Sequence, residues 1–243
     1  MIHIDSLNYR YPGSSIPALQ DIHLTIPSTG CTALMGSNGS GKSTLARCLN
    51  GLLLPSSGDV LIDGMSVNDP LHRMSIRRRV GLLFQDPDSQ LTSATVEREL
   101  AFGLQNLAVP TEEMHRLIEE QMSRFRLRNG LTAELSGGEK QRLAIASVLL
   151  LKPGYLILDE STSLLPESSR REVLGIARAL QLQVATILIT QFPSEAESAD
   201  RLIILHKGRV LLDDTPERVF AHTPLLAECG IPLPARFRWT FRQ

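Results

Sequence analysis

The chain has 243 residues, 42% of them hydrophobic and 21% charged, which is typical of a globular protein with one large α/β domain or two small ones. Its formal net charge of −1 excludes a strong overall attraction to nucleic acid or to an anionic membrane. No apolar run reaches the roughly 20 residues that span a bilayer, and the first five residues lack the basic and apolar regions of a signal peptide. We therefore expect a cytoplasmic chain that binds no nucleic acid, has no covalent membrane anchor and meets a membrane only through a partner.

The first 30 residues predict short antiparallel strands. Apolar and polar residues alternate over residues 2–30, and Pro12-Gly13 and Pro27 interrupt the alternation. Tyr11 lies in this region and has two interpretations: its ring could stack on a nucleotide base, or it could pack across the strands. The strand pattern alone favours packing, whereas a nucleotide site further along the chain would favour stacking.

A glycine-rich loop follows, and the rest of the chain is organised around it. Residues 36–44 read Gly-Ser-Asn-Gly-Ser-Gly-Lys-Ser-Thr between an apolar run and a helix-like run, which is the P-loop pattern in its expected context. The glycines allow backbone N–H groups to face a polyphosphate, Lys42 would reach the β- and γ-phosphates, and the Ser43 hydroxyl would bind a Mg²⁺ ion. A loop that only caps a helix would explain the glycines but not the Lys-Ser pair. The predicted phosphate-binding residues are Gly36, Ser37, Asn38, Gly39, Ser40, Gly41, Lys42, Ser43 and Thr44.

Two strands are predicted after the loop. Residues 59–62 predict the first, and Asp63-Gly64 predicts a tight hairpin behind it. Residues 80–84 predict a buried strand that ends at Gln85 and follows a basic run, residues 77–79, interpreted as a solvated face. Since polar residues at the carboxyl ends of buried strands face the ligand in α/β sheets, Gln85 could contact Mg²⁺ or an attacking water, or it could simply end the strand.

Residues 95–150 have helical periodicity and predict a helical subdomain, inserted at about residues 88–150. Ser136 and Glu139 form a capping box ahead of an apolar run. Gly137 and Gly138 occupy the first turn of that helix, where each costs about 1 kcal/mol relative to alanine. The motif is interpreted either as a well-capped helix or as a place where the backbone must approach an anion closely.

Two further buried strands end in polar residues. Residues 155–158 lead to Asp159 and Glu160, and two adjacent carboxylates at such a position predict a nearby cation. Asp159 suits the Mg²⁺ shell, and Glu160 suits a general base for an attacking water. Residues 184–190 predict another buried strand, which ends in Gln191. Three further elements are predicted: a hairpin over residues 202–205 and 210–212, a short helix with Thr215 as its N-cap, and an irregular tail over residues 229–243.

Residues 36–44, 135–142 and 156–160, in this order and spacing, make the chain resemble the nucleotide-binding subunit of an ATP-binding cassette (ABC) transporter. It looks most like the energy-coupling-factor ATPases of vitamin and transition-metal uptake, through residues 81–90, 95–103 and 230–234. The resemblance covers nearly the whole chain and implies a P-loop NTPase of the α/β class. Such a fold has a RecA-like parallel core sheet, an antiparallel β subdomain and an inserted helical subdomain, here with the ABC ATPase domain over residues 1–228.

The resemblance also implies ATP and Mg²⁺ as ligands and a role for each matching residue. Tyr11 matches the aromatic residue that stacks on the base, and the loop with Lys42 matches Walker A. Asp159 and Glu160 match Walker B and the catalytic glutamate. Gln85 matches the Q-loop glutamine, which also lies near the docking groove of the membrane partner. The signature motif, which contacts ATP held by a second cassette, is matched by Ser136, Gly137 and Gly138.

The implied function is ATP hydrolysis that energises import of a small solute through a separate membrane protein, on the inner face of the cell membrane. The implied partners are that protein and a second cassette, identical or paralogous. A soluble relative in DNA repair or translation is disfavoured, because the chain has neither a coiled-coil insertion nor a second fused cassette.

Two departures from the family pattern are visible. Residues 161–166 read Ser-Thr-Ser-Leu-Leu-Pro where the family usually has Pro-Thr-Ser-Gly-Leu-Asp, so Pro166 replaces an aspartate. Gln191 replaces a histidine, and glutamine can donate a hydrogen bond but cannot carry the charge of an imidazolium. We therefore expect slow turnover at this chain's own site, and an alternative is a degenerate cassette that binds ATP and dimerises with little turnover.

Overall fold

The computed structural model describes residues 1–180, 183–235 and 237. In these ranges the strands are β1 (Ile2–Tyr9), β2 (Leu19–Ile26), β3 (Cys31–Met35), β4 (Ser57–Ile62), β5 (Met65–Ser66), β6 (Val80–Leu83), β7 (Tyr155–Asp159), β8 (Ala185–Ile189), β9 (Arg201–His206) and β10 (Arg209–Asp214). The α-helices are α1 (Lys42–Leu49), α2 (Arg73–Arg79), α3 (Val96–Asn106), α4 (Thr111–Arg124), α5 (Gly137–Leu150), α6 (Glu167–Leu180), α7 (Pro193–Ala196), α8 (Pro216–Ala221) and α9 (Thr223–Glu228).

The larger sheet has the order β10-β9-β3-β8-β7-β6. Its five strands from β9 to β6 are parallel, and only β10 pairs antiparallel with its neighbour. Every residue of β3, β7 and β8 is buried, because both faces of this sheet are covered, and that explains their continuous apolar sequence. The prediction of a parallel core sheet is confirmed, and the carboxyl ends of its parallel strands meet at one edge.

The smaller sheet is antiparallel, with the order β2-β1-β4-β5, which confirms the predicted antiparallel strands. Buried and exposed residues alternate along β2, so one face of this sheet packs on the core. That face shares a hydrophobic cluster with α1, in which Ile22, Leu45 and Ile62 are almost completely buried. The helix that follows the P-loop is therefore held between the two sheets.

Asp63, in the predicted hairpin between β4 and β5, connects the two sheets. It accepts hydrogen bonds from the Met1 ammonium group, from Arg79 Nε at 2.6 Å and from the Tyr155 hydroxyl at 2.7 Å. Partial burial alone would raise the pKa of this carboxyl, but the three donors outweigh it and hold the pKa at about 2. The residues of the basic run 77–79 are all exposed, as predicted, and Arg79 additionally forms this ion pair.

Helices α3, α4 and α5 lie in the chain between β6 and β7, where helical periodicity was found. They contribute Leu100, Ile118 and Leu143 to a single hydrophobic cluster with the core sheet. The boundaries of the helical subdomain (88–150) and of the ABC domain (1–228) remain predictions. In the described ranges, no helix is both long enough and apolar enough to cross a membrane.

The elements near the end of the chain agree with the sequence predictions in part. Thr215 is the N-cap of α8, and the helix ends at Ala221, as predicted, although the Thr215 side chain makes no capping hydrogen bond. Helix α9 was not predicted, although a proline in its first turn, Pro224, is a recognisable start signal. The predicted irregular tail, residues 229–243, is described over residues 229–235 and 237, and its other residues lie outside the described ranges.

Candidate functional site

The P-loop joins β3 to α1 at the carboxyl edge of the core sheet. Gly41 has a φ of 105°, and a Cβ atom there would lie 2.6 Å from the carbonyl oxygen of Ala18. A Cβ atom on Gly36 would lie 2.3 Å from the carbonyl oxygen of Leu205. Because only glycine fits at both positions, bare backbone lines this loop, as phosphate binding by N–H groups requires.

Lys42 is the first residue of α1, and its side chain is only 5% exposed. Its Nζ atom donates hydrogen bonds to the carbonyl oxygens of Gly36 at 2.9 Å and Ser37 at 3.2 Å. It also lies 3.6 Å from Glu160 Oε1. The ammonium group is thus folded back over the loop, beside the space that the loop encloses.

Ser43 and Asp159 meet although 116 residues separate them in the sequence, because α1 and β7 converge at this edge. Ser43 Oγ donates a hydrogen bond of 3.0 Å to Asp159 Oδ1. Burial and the neighbouring Glu160 raise the pKa of Asp159, whereas the Ser43 hydrogen bond lowers it, and the net direction is upward. A buried carboxylate without a full counter-charge, next to a hydroxyl, is a set of oxygen donors that fits Mg²⁺.

Glu160 and Gln191 follow the neighbouring strands β7 and β8. Gln191 Nε2 donates hydrogen bonds to Glu160 Oε2 at 2.7 Å and to Asn38 Oδ1 at 3.3 Å. Glu160 has a φ of 49°, a left-handed conformation that is unfavourable for a residue with a Cβ atom. Gln191 therefore connects the candidate base to the P-loop.

Tyr11 and Gln85 border the same space from other elements. Tyr11 lies two residues beyond β1, its hydroxyl is 3.1 Å from Thr44 Oγ1, and its ring packs edge-on against Tyr9 with 5.0 Å between centroids. The ring thus packs against Tyr9, as one interpretation required, while Tyr11 remains 37% exposed at the cavity. Gln85 Nε2 donates to Ser163 Oγ at 3.1 Å.

These side chains share one open cavity of about 820 Å³. The predicted residues that line it are Tyr11, Asn38, Gly39, Gly41, Lys42, Ser43, Thr44, Gln85, Asp159, Glu160 and Gln191. Gly36 and Ser37 line a smaller adjoining cavity of about 230 Å³, whereas the Ser40 side chain is buried beneath the loop. Sequence reasoning missed Arg47, which lines the large cavity one helical turn after Ser43, a spacing that could have identified it.

Ser136, Gly137 and Gly138 lie elsewhere, at the start of α5, and none of them lines either cavity. The predicted capping box is confirmed, and hydrogen bonds from the Ser136 hydroxyl and backbone N–H lower the pKa of Glu139. A Cβ atom on Gly138 would lie 2.7 Å from Ser169 Oγ, so this glycine allows α5 to pack closely on α6. Gly137 is exposed, and a Cβ atom there would meet only Leu165 Cδ2 at 3.8 Å, so no close contact within the described residues requires a glycine.

Comparison with known proteins gives consistent similarities. The profile of the ABC transporter family matches residues 19–163. The energy-coupling factor transporter ATP-binding protein EcfA of Syntrophomonas wolfei is 44% identical over 95% of this chain and 86% of its own length. The structure of cbiO1 from Clostridium perfringens, part of the ABC transporter complex cbiONQ, superposes with a TM-score of 0.84 at 33% identity and covers 98% of both chains. The dimeric ATP-binding cassette MJ0796, bound to ADP and Pi, superposes with a TM-score of 0.80 at 26% identity over 89% of this chain and 99% of its own.

Proposed function

The chain belongs to the ABC transporter family, and from this premise we propose that it hydrolyses ATP to energise import of a vitamin or transition-metal ion through a separate membrane protein. The observation that carries the proposal is the convergence of Lys42, Asp159, Glu160 and Gln191 on one cavity beside a glycine-lined loop. The solute class is what the resemblance to the energy-coupling-factor ATPases implies, and the relatives named as an energy-coupling-factor ATPase and as part of cbiONQ support that subfamily.

The residues of this chain would act mainly by positioning and electrostatics. The loop amides and Lys42 hold the phosphates of ATP, and Tyr11 stacks on the base. Glu160 orients the attacking water and accepts its proton, while Gln191 fixes the direction of the Glu160 carboxylate. Mg²⁺ would be held by Ser43, Asp159 and Gln85, and when bound it neutralises phosphate charge.

A second cassette would complete the site. None of Ser136, Gly137 and Gly138 lines the cavity that contains Lys42, and Ser136 and Gly137 are exposed, so the start of α5 is available to ATP held by another cassette. The dimeric structure of the similar cassette MJ0796, bound to ADP and Pi, supports a pair of cassettes. We place the assembly on the cytoplasmic face of the membrane, attached through the membrane protein.

A second candidate function rests on Gln191 and Pro166. Pro166 is exposed immediately before α6 and has no side-chain donor or acceptor where the family usually has an aspartate. Gln191 remains neutral at all pH values. A cassette with these residues could bind ATP and dimerise while a paralogous cassette supplies the faster site.

The steady-state ATPase rate of the purified chain over a series of protein concentrations tests both candidates. For an active homodimer, we expect a rate that rises more than linearly with concentration and disappears in Glu160→Gln. Glu217→Gln is the matched control, because it removes an exposed carboxylate in the first turn of α8. Binding of Mg-ATP without any Glu160-dependent turnover would contradict the active homodimer and favour the regulatory cassette.

A further inference from the structure

Glu195 is a buried carboxylate outside the candidate site. It lies in the short helix α7, four residues after Gln191, and its exposed fraction is only 2%. A carboxylate is rarely buried so completely unless hydrogen bonds or ion pairs compensate it. The partners of Glu195 therefore indicate what its burial accomplishes.

Both oxygens of Glu195 are occupied, and by different loops. Oε1 accepts a hydrogen bond of 2.9 Å from Thr162 Oγ1, and Oε2 accepts one from Thr190 Oγ1. Both threonines are at most 2% exposed. Thr190 Oγ1 in turn accepts from the backbone N–H of Phe192 at 3.0 Å, which closes the loop around Gln191.

A cation from α6 completes the cluster. Arg170 Nε lies 3.8 Å from Glu195 Oε1, and its guanidinium group stacks 3.8 Å from the centroid of the Phe192 ring. Arg170 Nη2 also donates to the carbonyl oxygen of Leu165 at 3.4 Å. Leu165 lies between Leu164, which is 66% exposed, and the exposed Pro166.

The cluster thus joins two segments that carry candidate catalytic residues. Thr162 is two residues after Glu160, on the turn that leads to the exposed residues 164 and 166. Thr190 is the residue before Gln191. Glu195 lies between these segments and accepts a hydrogen bond from each. Within the described residues, it forms no hydrogen bond with Glu160 or with Gln191.

We infer that Glu195 is a positioning residue that couples the turn at residues 161–166 to the orientation of Gln191. A displacement of the exposed part of that turn is transmitted through Thr162, Glu195 and Thr190 to the loop that carries Gln191. This inference rests on the roles proposed above for Glu160 and Gln191.

A double-mutant cycle on kcat, at a protein concentration where specific activity has reached its plateau, tests the coupling. We expect Glu195→Gln to lower kcat about tenfold and to change KM for ATP less than about twofold. In a Gln191→Ala background, the same substitution should lower kcat by less than about twofold, because the residue through which it acts is absent. The Glu217→Gln control should not change kcat in either background.

The outcomes separate this inference from the proposed function. Equal losses from Glu195→Gln in both backgrounds would overturn the coupling and leave the role of Gln191 intact. Unchanged kcat in Gln191→Ala would overturn the role of Gln191 and the coupling with it. Unchanged kcat in Glu195→Gln, with Gln191→Ala impaired, would overturn the coupling alone.

A second measurement tests the coupling without an activity assay and without a Glu195 variant. It is needed if the isolated chain is inactive or if the Glu195 variant does not fold. Thr162→Val removes the hydroxyl group that donates a hydrogen bond to Glu195 Oε1 and leaves the side-chain volume nearly unchanged, whereas Thr162→Ser retains the hydroxyl group. In the isolated chain, we expect faster amide hydrogen exchange in peptides that contain Phe192 for Thr162→Val but not for Thr162→Ser. Equal exchange in the two variants would show that the hydroxyl transmits nothing to the Gln191 loop and would overturn the inference.

Discussion

Replacement of Gln191 by alanine tests the central contact of the candidate site. The change removes the 2.7 Å hydrogen bond from Gln191 Nε2 to Glu160 Oε2. A hydrogen bond to a charged group contributes about 1.5–3 kcal/mol of stabilisation. Because Gln191 is exposed and water competes for the Glu160 carboxylate, we assign about 1–2 kcal/mol to the loss of this hydrogen bond. Since each 1.36 kcal/mol corresponds to a factor of ten in rate, kcat should fall about 5- to 30-fold.

The effect should fall on kcat rather than on ATP affinity. Beyond Glu160, the hydrogen-bond partner of Gln191 in the described structure is Asn38 Oδ1, at the longer distance of 3.3 Å, and Gln191 bonds to no backbone atom of the P-loop. We therefore expect KM for ATP to remain within about twofold of the unmodified chain. The assay is steady-state phosphate release at saturating Mg-ATP and plateau protein concentration.

Two companion variants sharpen this test. Gln183→Ala is a matched control, because Gln183 is an exposed glutamine at the opposite end of β8. Gln191→His restores the residue usual in the family, and it should raise kcat and add a pH dependence near the ordinary pKa of histidine. A Gln191→Ala variant with kcat within twofold of the unmodified chain would refute the proposed orientation of Glu160.

Substitutions at four other positions have defined expected outcomes. Lys42→Met should raise the Kd for ATP at least about tenfold in equilibrium binding, because the cation over the P-loop is lost, and Lys42→Arg should recover part of the affinity. In a urea titration, Gly81→Ala should lower the free energy of unfolding by about 1–3 kcal/mol, because its Cβ atom would lie 2.4 Å from Val148 Cγ1. Gly175 lies in open space on α6, so Gly175→Ala should raise the free energy of unfolding by about 0.5–1 kcal/mol in the same assay. Asp63 has a folded-state pKa of about 2, below its ordinary value of 3.8, so its ion pairs stabilise the chain at neutral pH and are lost as the pH falls from about 4 to 2. The Asp63→Asn variant should therefore be less stable by about 1 kcal/mol at pH 7, after allowance for solvent screening, and urea unfolding should show this difference shrinking between pH 4 and pH 2.

The sequence predicts most of the fold because its signals are local and strong. Continuous apolar runs identified the buried strands β7 and β8, and alternation identified the antiparallel sheet. The Ser136 and Glu139 pair identified the start of α5 correctly. The prediction for Thr215 placed the start of α8 correctly, although its side chain makes no capping hydrogen bond.

The structure explains some of the glycines in the two predicted motifs but not all of them. The P-loop glycines are required by close backbone contacts, which agrees with the motif. The sequence interpretation treated Gly137 and Gly138 alike, as two costly residues that an anion would explain. The structure separates them, because Gly138 is needed for the contact with Ser169 on α6, whereas a Cβ atom on Gly137 would meet only Leu165 Cδ2, at an ordinary contact distance of 3.8 Å. An anion-binding role therefore needs to explain Gly137 alone, and its absence from the chain's own cavity favours a ligand held by another molecule.

The difference between Glu160 and Glu195 shows where sequence reasoning ends. Residues directly after neighbouring parallel strands must meet at one edge of the sheet, so Asp159, Glu160 and Gln191 could be grouped before the structure was known. Glu195 lies one turn further on, in a helix of only four residues that has no detectable periodicity. Its contact with Thr162 depends on the register of β7 and β8, in which Asp159 pairs with Ile189 and so brings the following residues side by side. Strand register is a property of the assembled sheet, so a residue such as Glu195, whose partners are brought together by that register, has no recognisable local sequence pattern. The function of its buried carboxylate can be inferred only when the residues that contact it are known.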